Sequence, residues 1–346
     1  MKIGKYQGID CHIDNLSPNQ SVCVTGISGS GKTTRLYSME LDAVLNGKSV
    51  IVIDLNHTHT DDQICPQLRD AYVSKVNRIR PAQDGFALNL FEPHTMPDGT
   101  AEPLVSMVNF AVSALGSGQR MGPRQVGALR TAVVRAIKIR QKFASDAQTL
   151  IYTLAEQNSA HAKAVYEKLW SVLNSGVLGQ SRKPLRADSI NIIDLGGLDH
   201  TTGQTFAEIF LSALWRNVLF RSSDLTRNGI LLVLDEFQNF SMKQDAALLQ
   251  MLREGRKFAL SLLLATQTLE VFPKEILAIL NQTATRLYFR PAPKEIPRIV
   301  KEIDPPDPQL LKKRLAKLKV GEAIAVGDLN VRGTFIQRPI LLTGEV

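Results

Sequence analysis

Gly26-Ile27-Ser28-Gly29-Ser30-Gly31-Lys32-Thr33 follows the apolar run Val22-Cys23-Val24 and opens into a stretch with helical spacing. A glycine-rich turn between a strand and a helix is where a phosphate-gripping P-loop must lie. The glycines let successive backbone N–H groups curl around an anion, and the helix opening at Lys32 adds its positive end. Lys32 is expected to reach the β- and γ-phosphates of a nucleoside triphosphate and the Thr33 hydroxyl to ligate Mg²⁺. Gly26, Ser28, Gly29, Ser30, Gly31 and Thr34 complete the cradle, and the implied ligands are ATP and Mg²⁺. The competing reading, an ordinary glycine turn, does not account for the strand and helix on either side.

Working outward, further short β-branched and apolar runs occur at Ser21 to Thr25, Val50 to Asp54, Ile190 to Leu195, Ile230 to Leu234, Ala259 to Ala265 and Thr285 to Phe289. Separated mostly by helical patterns, they have the rhythm of a mostly parallel sheet buried on both faces, an α/β fold. Between the second and third runs the chain shows little strand character. Val126, Leu129, Val133, Ile137, Leu150 and Leu154 recur there at helical spacing. The expected division is residues 1–60 as the first part of the nucleotide-binding core, 61–188 as a largely helical insertion, 189–290 as the rest of the core, and 291–346 as a C-terminal tail. Pro81 to Gly99 reads as an irregular connector, and prolines from Pro291 to Pro308 mark the expected end of the core. The tail should hold a basic helix over Gln309 to Leu318, then a strand pair at Ala323 to Val326 and Thr334 to Gln337.

With 346 residues, 44% of them hydrophobic, the chain can bury a large core. No apolar run approaches the roughly 18 residues of a membrane span, and no secretory signal pattern opens the chain, so the cytoplasm is the expected compartment. Cys11, Cys23 and Cys65 lack metal-ligand spacing and read as reduced packing residues. Forty-one Lys and Arg against 33 acids give a net charge of +8, which favours polyanionic partners without proving one.

Ile230-Leu231-Leu232-Val233-Leu234 ends in Asp235-Glu236, two carboxylates at the tip of a buried strand, where open α/β sheets bind ligands. A lone strand ending in acids is often only capped for solvent. In a chain that also carries a P-loop, Asp235 is expected to hold Mg²⁺ through a water and Glu236 to act as general base on the water attacking the γ-phosphate. Ala265-Thr266-Gln267 ends the following run and would carry the Gln267 amide toward the same phosphate as a sensor of its presence. Just upstream, Arg253-Glu254-Gly255-Arg256-Lys257 gathers three cations. One reading is a solvated helix end favoured by the dipole. The other is an arginine finger, Arg256, offered to a neighbouring subunit's nucleotide.

Together the P-loop, Ile192-Ile193-Asp194-Leu195-Gly196-Gly197-Leu198, Asp235-Glu236-Phe237 and Gly255-Arg256-Lys257-Phe258 running into Ala265-Thr266-Gln267 resemble the HerA/FtsK superfamily of DNA-pumping ATPases, over roughly residues 15 to 340. The resemblance implies a RecA-like P-loop NTPase fold of the additional-strand, catalytic-glutamate type. Lys32 and Thr33 match the Walker A pair, Asp235 and Glu236 match Walker B, and Gln267 matches the sensor glutamine. Arg256 lies where the type IV secretion coupling proteins place an arginine acting in trans, with Arg253 and Arg286 as alternatives. The tail from Val320 to Gly327 resembles the HerA end, which reaches over an adjacent subunit. It further implies a homo-oligomer, a hexameric ring, acting on double-stranded DNA alongside a nuclease, relaxase or capsid partner. The alternatives are an ATP-gated scaffold for an effector and a protein-export ATPase. The HerA β-barrel, the membrane helices of coupling proteins and the FtsK winged helix all lack a counterpart in the sequence, so a stripped motor is expected.

Leu115-Gly116-Ser117-Gly118-Gln119-Arg120 looks like an ABC-transporter signature but lies too far ahead of the Walker B strand and reads as a loop between helices. No guanine-reading Asn-Lys-x-Asp segment is present. His57-Thr58-His59 with Asp61-Asp62 reads as surface rather than a metal site, with contact to nucleotide or the next subunit as the functional alternative. Arg120, Arg124, Arg130, Arg135, Lys138, Arg140 and Lys142, with Arg182, Lys183 and Arg186, supply cations suited to sequence-independent phosphate contact, or are ordinary exposed helix faces.

Overall fold

A strand flanked by other strands and covered on both faces has no solvent side, so every side chain must be apolar or bonded. The structure, a computed structural model describing residues 1–13, 20–96, 98–220, 228–281 and 285–344, puts the apolar runs in that position. In chain order the first elements are β1 (Lys2–Tyr6), β2 (Ile9–Ile13), β3 (Val22–Thr25), α1 (Lys32–Leu45), β4 (Ser49–Asp54), α2 (Pro66–Val73), β5 (Val76–Ile79) and α3 (Pro81–Asp84). Four helices follow, α4 (Leu104–Gly116), α5 (Pro123–Ile139), α6 (Asp146–Glu156) and α7 (Ala160–Asn174), then β6 (Ile190–Asp194), α8 (His200–Phe220), β7 (Ile230–Leu234) and α9 (Ala247–Glu254). The rest comprises β8 (Leu260–Thr266), α10 (Lys274–Leu280), β9 (Thr285–Tyr288), α11 (Ile296–Ile303), α12 (Pro308–Ala316), β10 (Ala323–Gly327), β11 (Leu329–Val331), β12 (Thr334–Ile336) and β13 (Ile340–Leu342).

The central sheet has nine strands in the order β13-β10-β9-β3-β8-β7-β4-β6-β5. From β9 to β5 all neighbours run parallel, and β10 is antiparallel to both β9 and β13. Alternation along each strand divides the core in two. Val22, Val24, Val50 and Val52 face α1, α2 and a second, four-stranded sheet, β1-β2-β11-β12. Cys23, Ile51 and Ile53 face α8 and the helical region beyond it.

Helices α4 to α7 pack on one another and against α8. A buried ion pair, Arg216 of α8 with Glu102 just ahead of α4, fixes the junction, and the Arg216 guanidinium lies 4.5 Å from the centre of the Phe110 ring. Asp146 at the start of α6 accepts a 2.8 Å bond from the Leu90 N–H, tying the helices to the connector.

Three expectations change. The strand-poor stretch contains β5, Val-Asn-Arg-Ile, which pairs with β6 as an edge strand of the main sheet. Ala323–Gly327 and Thr334–Ile336 do not pair with each other: the buried β10 joins β9 in the large sheet, whereas the more exposed β12 joins β11 in the small one. The core does not stop near Pro308, because β10 and β13 extend the sheet beyond β9.

Candidate active site

Strand β8 lies between the P-loop strand β3 and the acid-bearing strand β7. The interposed strand is the mark of the additional-strand type of P-loop NTPase, and it sets the geometry of the site. The register aligns Thr25 with Thr266 and Leu234 with Leu264, so Gly26, Gln267 and Asp235 all leave the same edge of the sheet. Asp54 and Asp194 end their strands side by side at that edge.

The phosphate loop takes its shape from glycine. Gly26, Gly29 and Gly31 have φ of 155, 72 and 95°, and a Cβ added to Gly26 would lie 2.7 Å from Phe289 Cβ. Around Gly29 there is open space. Ser30 Oγ donates to the Ile27 carbonyl at 2.7 Å. Lys32 folds back inside the loop, its Nζ donating to the carbonyls of Gly26 at 2.7 Å and Ile27 at 3.0 Å. Burial pushes its ammonium pKa down, while Asp235 and Glu236 pull the other way. A cation held in a concave glycine loop, at the head of the 14-residue α1, fits a polyphosphate.

Beyond β7, burial raises the Asp235 carboxyl above its ordinary value, with His59 and Lys32 opposing the rise. Its Oδ1 accepts the Glu236 N–H at 3.0 Å. Glu236 sits in the left-handed region, φ 55° and ψ 49°, which re-aims its side chain sharply from the strand direction. The Gln267 amide donates to Glu236 Oε1, and Thr266 Oγ1 donates to Gln238 Oε1 at 2.8 Å, so the tips of β7 and β8 are stitched together. A cavity of about 60 Å³ lies against Asp235 and Glu236, lined also by Asp54 and Thr58, room for a water beside Glu236. Thr33 and Asp235 are the residues that would hold Mg²⁺. The oxygen-only donor pair suits that ion, which keeps several of its waters.

A polar cluster that the sequence did not disclose backs this edge. Glu40 of α1 is fully buried, bonded by His59 Nε2 at 3.3 Å and by the Tyr72 hydroxyl. Asp54 accepts the N–H groups of Thr58 and His59, each at 2.9 Å, and so shapes the loop after β4. His59 is therefore interior, not surface; burial alone would lower its pKa, but Glu40 outweighs it and the net shift is upward. His57 remains half-exposed and bonds Asp194 through Nδ1 at 2.9 Å. Asp54, His57 and Asp194 bring ligand atoms within 4.8 Å of one another. Yet Asp194 also accepts from Arg80 Nε at 3.2 Å and Asp54 from the Thr58 and His59 N–H groups, so both acids are already engaged by donors.

The cation cluster lies elsewhere. Arg256 is exposed in the turn Gly255–Phe258 that leads into β8, and Leu260 is in register with Ile230 at the opposite edge of the sheet. The seven residues of β8, ending at Thr266, carry the chain from that turn to the other end of the sheet, about 20 Å at the usual rise. Arg253 is exposed on the last turn of α9, while Arg286 is half-buried within β9 and bonds Asn281 at 3.2 Å. Leu115 and Gly116 end α4 and the residues to Arg120 lead into the bend before α5, with Gln119 bonded to Thr205 of α8 at 3.3 Å. Arg120, Arg124, Arg130, Arg135 and Lys138 are exposed, Arg135 in an ion pair with Glu156.

No family model matches the sequence, and no curated protein is found by sequence comparison. Structural comparison finds VirB4 of Thermoanaerobacter pseudethanolicus, 17% identical with a TM-score of 0.74, over 100% of this chain and 96% of that one. It also finds the bacterial conjugative coupling protein TrwB, 13% identical with a TM-score of 0.66 in its unbound form, over 100% of this chain and 88% of that one. TrwB in complex with the ATP analogue ADPNP matches with a TM-score of 0.62 at 13% identity, over 100% of this chain and 89% of that one. The fold is thus the P-loop NTPase fold of these proteins. Among the described residues no helix is long and apolar enough to cross a membrane.

Proposed function

We propose that this chain is a Mg²⁺-dependent ATPase of the HerA/FtsK superfamily that works as a homo-oligomeric ring, a hexamer, and drives double-stranded DNA through its centre. The observation that carries the reading is the division of charges between the sheet edges. Lys32, Thr33, Asp235, Glu236 and Gln267 meet at one edge, while Arg256 stands about 20 Å away at the other, beyond reach of its own site. An arginine so placed can complete a nucleotide site only in the next molecule of a head-to-tail, closed assembly. TrwB, of the same fold, has been solved with ADP and Mg²⁺, which supports these ligands here.

Bound Mg²⁺ would screen the phosphate charge and draw electrons from the bond to be broken. Glu236 accepts a proton from water as the water oxygen attacks the γ-phosphorus. The bond to the β–γ bridging oxygen breaks, and ADP and phosphate leave. Lys32 holds the β- and γ-oxygens, Gln267 orients Glu236, and Arg256 of the adjoining subunit offsets charge developing on the γ-phosphoryl group. Exposed cations of α5 and its flanks suit non-specific phosphate contact.

The test is ATP turnover with and without duplex DNA, combined with displacement of a triplex-forming strand from that duplex. Stimulated turnover with displacement is expected, and both should vanish in Glu236→Gln. Turnover without displacement would favour a nucleotide-gated scaffold, and turnover indifferent to DNA an ATPase of protein export; either would overturn the DNA motor.

A further inference from the structure

Helix α12 and the residues after it carry charge that the nucleotide site does not use. Lys312, Lys313, Arg314, Lys317 and Lys319 fall within eight positions, and no acid occurs from Pro308 to Gly321. All five are exposed, and none is ion-paired among the described residues. Elsewhere surface cations have acidic partners: Arg135 pairs with Glu156, Lys257 with Glu254 and Lys294 with Glu270. The negative end of a helix accounts for one or two cations in its last turn, not for five without an acid. Leu311 and Leu315, one turn apart, are buried in the core, and Leu318 joins them beyond the helix end. At about 100° per residue Lys313 then points directly away from the leucines, with Lys312 and Arg314 to either side. A helix lying on a lipid surface would insert such leucines. Here they are inside the protein, and Leu310 is the one large apolar side chain that α12 exposes, so the face attracts by charge alone. That suits a phosphate backbone.

Both ends of the α11–α12 unit hold catalytic loops. Just ahead of α11 the buried Glu295 accepts the Leu269 N–H at 2.9 Å and the Thr268 hydroxyl at 2.8 Å, and Arg298 Nη1 donates to the Leu269 carbonyl at 3.3 Å. Thr268 directly follows Gln267. Beyond α12 the Gly321 N–H donates to the Ser30 carbonyl at 2.9 Å. Arg35 Nη2 donates to the Gly321 carbonyl at 3.1 Å, while its Nη1 donates to the Ile3 carbonyl of β1. A Cβ on Gly31 would lie 2.7 Å from the Gly321 nitrogen, so the two backbones touch. Helices α11 and α12 pack on each other, which joins the Gln267 side of the site to the phosphate loop. This unit is separate from the α5 cations: α12 leads into β10 toward one side of the nine-stranded sheet, whereas α5 belongs to the segment joining β5 and β6 at the other.

Resting on the DNA-motor reading, we infer that the basic face of α12 is a docking surface for the phosphate backbone of duplex DNA, and that docking there regulates ATP turnover. A load on α12 is passed through Glu295 and Arg298 to the loop after Gln267, and through Gly321 to Ser30 and Gly31. The face reads charge and not sequence.

The experiment measures binding of the full chain to a duplex of arbitrary sequence across a series of salt concentrations. It compares wild type with a variant combining Lys312→Gln, Lys313→Gln, Arg314→Gln and Lys317→Gln. Glutamine is nearly as good a helix former as lysine or arginine, and the leucines are untouched, so α12 persists. Affinity should fall at least ~10-fold, and the slope of log K against log salt should become shallower by about 2–4, near 0.9 for each contact removed. At saturating duplex the variant's stimulation of turnover should stay at least ~3-fold below that of wild type. An unchanged salt slope overturns the docking surface while leaving the motor reading intact. Full stimulation at saturating duplex overturns the regulatory link. A variant that loses binding to vesicles of phosphatidylserine and phosphatidylcholine, yet keeps the wild-type slope on DNA, makes the face a lipid contact and rejects the inference. A wild type that binds no duplex, or whose turnover ignores it, removes the motor reading and the inference together.

Discussion

The side-chain amide of Gln267 donates a hydrogen bond to Oε1 of Glu236, so the tip of β8 holds the acid carried by the tip of β7. In the proposed mechanism the general base is thus oriented by a neutral group on a different strand. Under that proposal, occupancy of the phosphate site and the aim of Glu236 would be linked through one amide.

Glu236→Gln keeps the size of the side chain and removes its basicity. ATP affinity should stay within about 3-fold while turnover falls at least ~100-fold. Single-turnover hydrolysis measured beside equilibrium binding checks both, and retained turnover rejects the role.

Gln267→Ala frees Glu236 without touching the phosphate loop. kcat should fall about 10-fold or more with KM for ATP little altered, the pattern of a lost transition-state contact. A rise in KM at constant kcat would instead make Gln267 a simple binding group.

Arg256→Ala should abolish turnover alone, yet regain part of it when mixed with Glu236→Gln protein. Mixed assemblies then contain interfaces in which both wild-type groups meet. Absence of recovery across all mixing ratios argues against a trans arginine.

Tyr72→Phe deletes one of the two donors that hold the buried Glu40 carboxylate. The cost should be about 1–3 kcal/mol in urea unfolding, with the slope against denaturant unchanged. A loss near zero would mean that Glu40 recruits water in place of the hydroxyl.

Asp146 carries a pH signature. Burial raises its carboxyl from 3.8 to about 6 in the folded chain, against the opposing Leu90 N–H bond. The native state therefore binds the proton more tightly than the unfolded state, and stability falls as pH rises between about 4 and 6. Asp146→Asn, which keeps an acceptor for Leu90, should be the more stable protein above pH 6, by about 1–3 kcal/mol, with the gap closing toward pH 4. Parallel thermal melts across that range test the sign.

The inner strands were readable because burial on both faces demands uninterrupted apolar runs, as in Ile230 to Leu234, followed at once by the acids. Edge strands escaped because one side of each is free of that demand: β5 reads Val-Asn-Arg-Ile and β1 Lys-Ile-Gly-Lys-Tyr. The phosphate loop and Asp235-Glu236 were legible since local chemistry defines them. Glu40, His59 and Tyr72 were not, because each looks solvent-facing in its own segment and becomes interior only through partners on other elements. Arg35 likewise looks like an ordinary helix cation, and its value as a clasp depends on Gly321, 286 positions away.

That separation orders the birth of the molecule. During synthesis the glycine loop emerges well before the turn at Gly321, whose N–H donates to the Ser30 carbonyl at 2.9 Å. A nascent chain consequently carries the ligand-binding motif long before it can hold the finished shape, and a message cut short ahead of Gly321 yields a polypeptide with an intact signature and an unsupported grip.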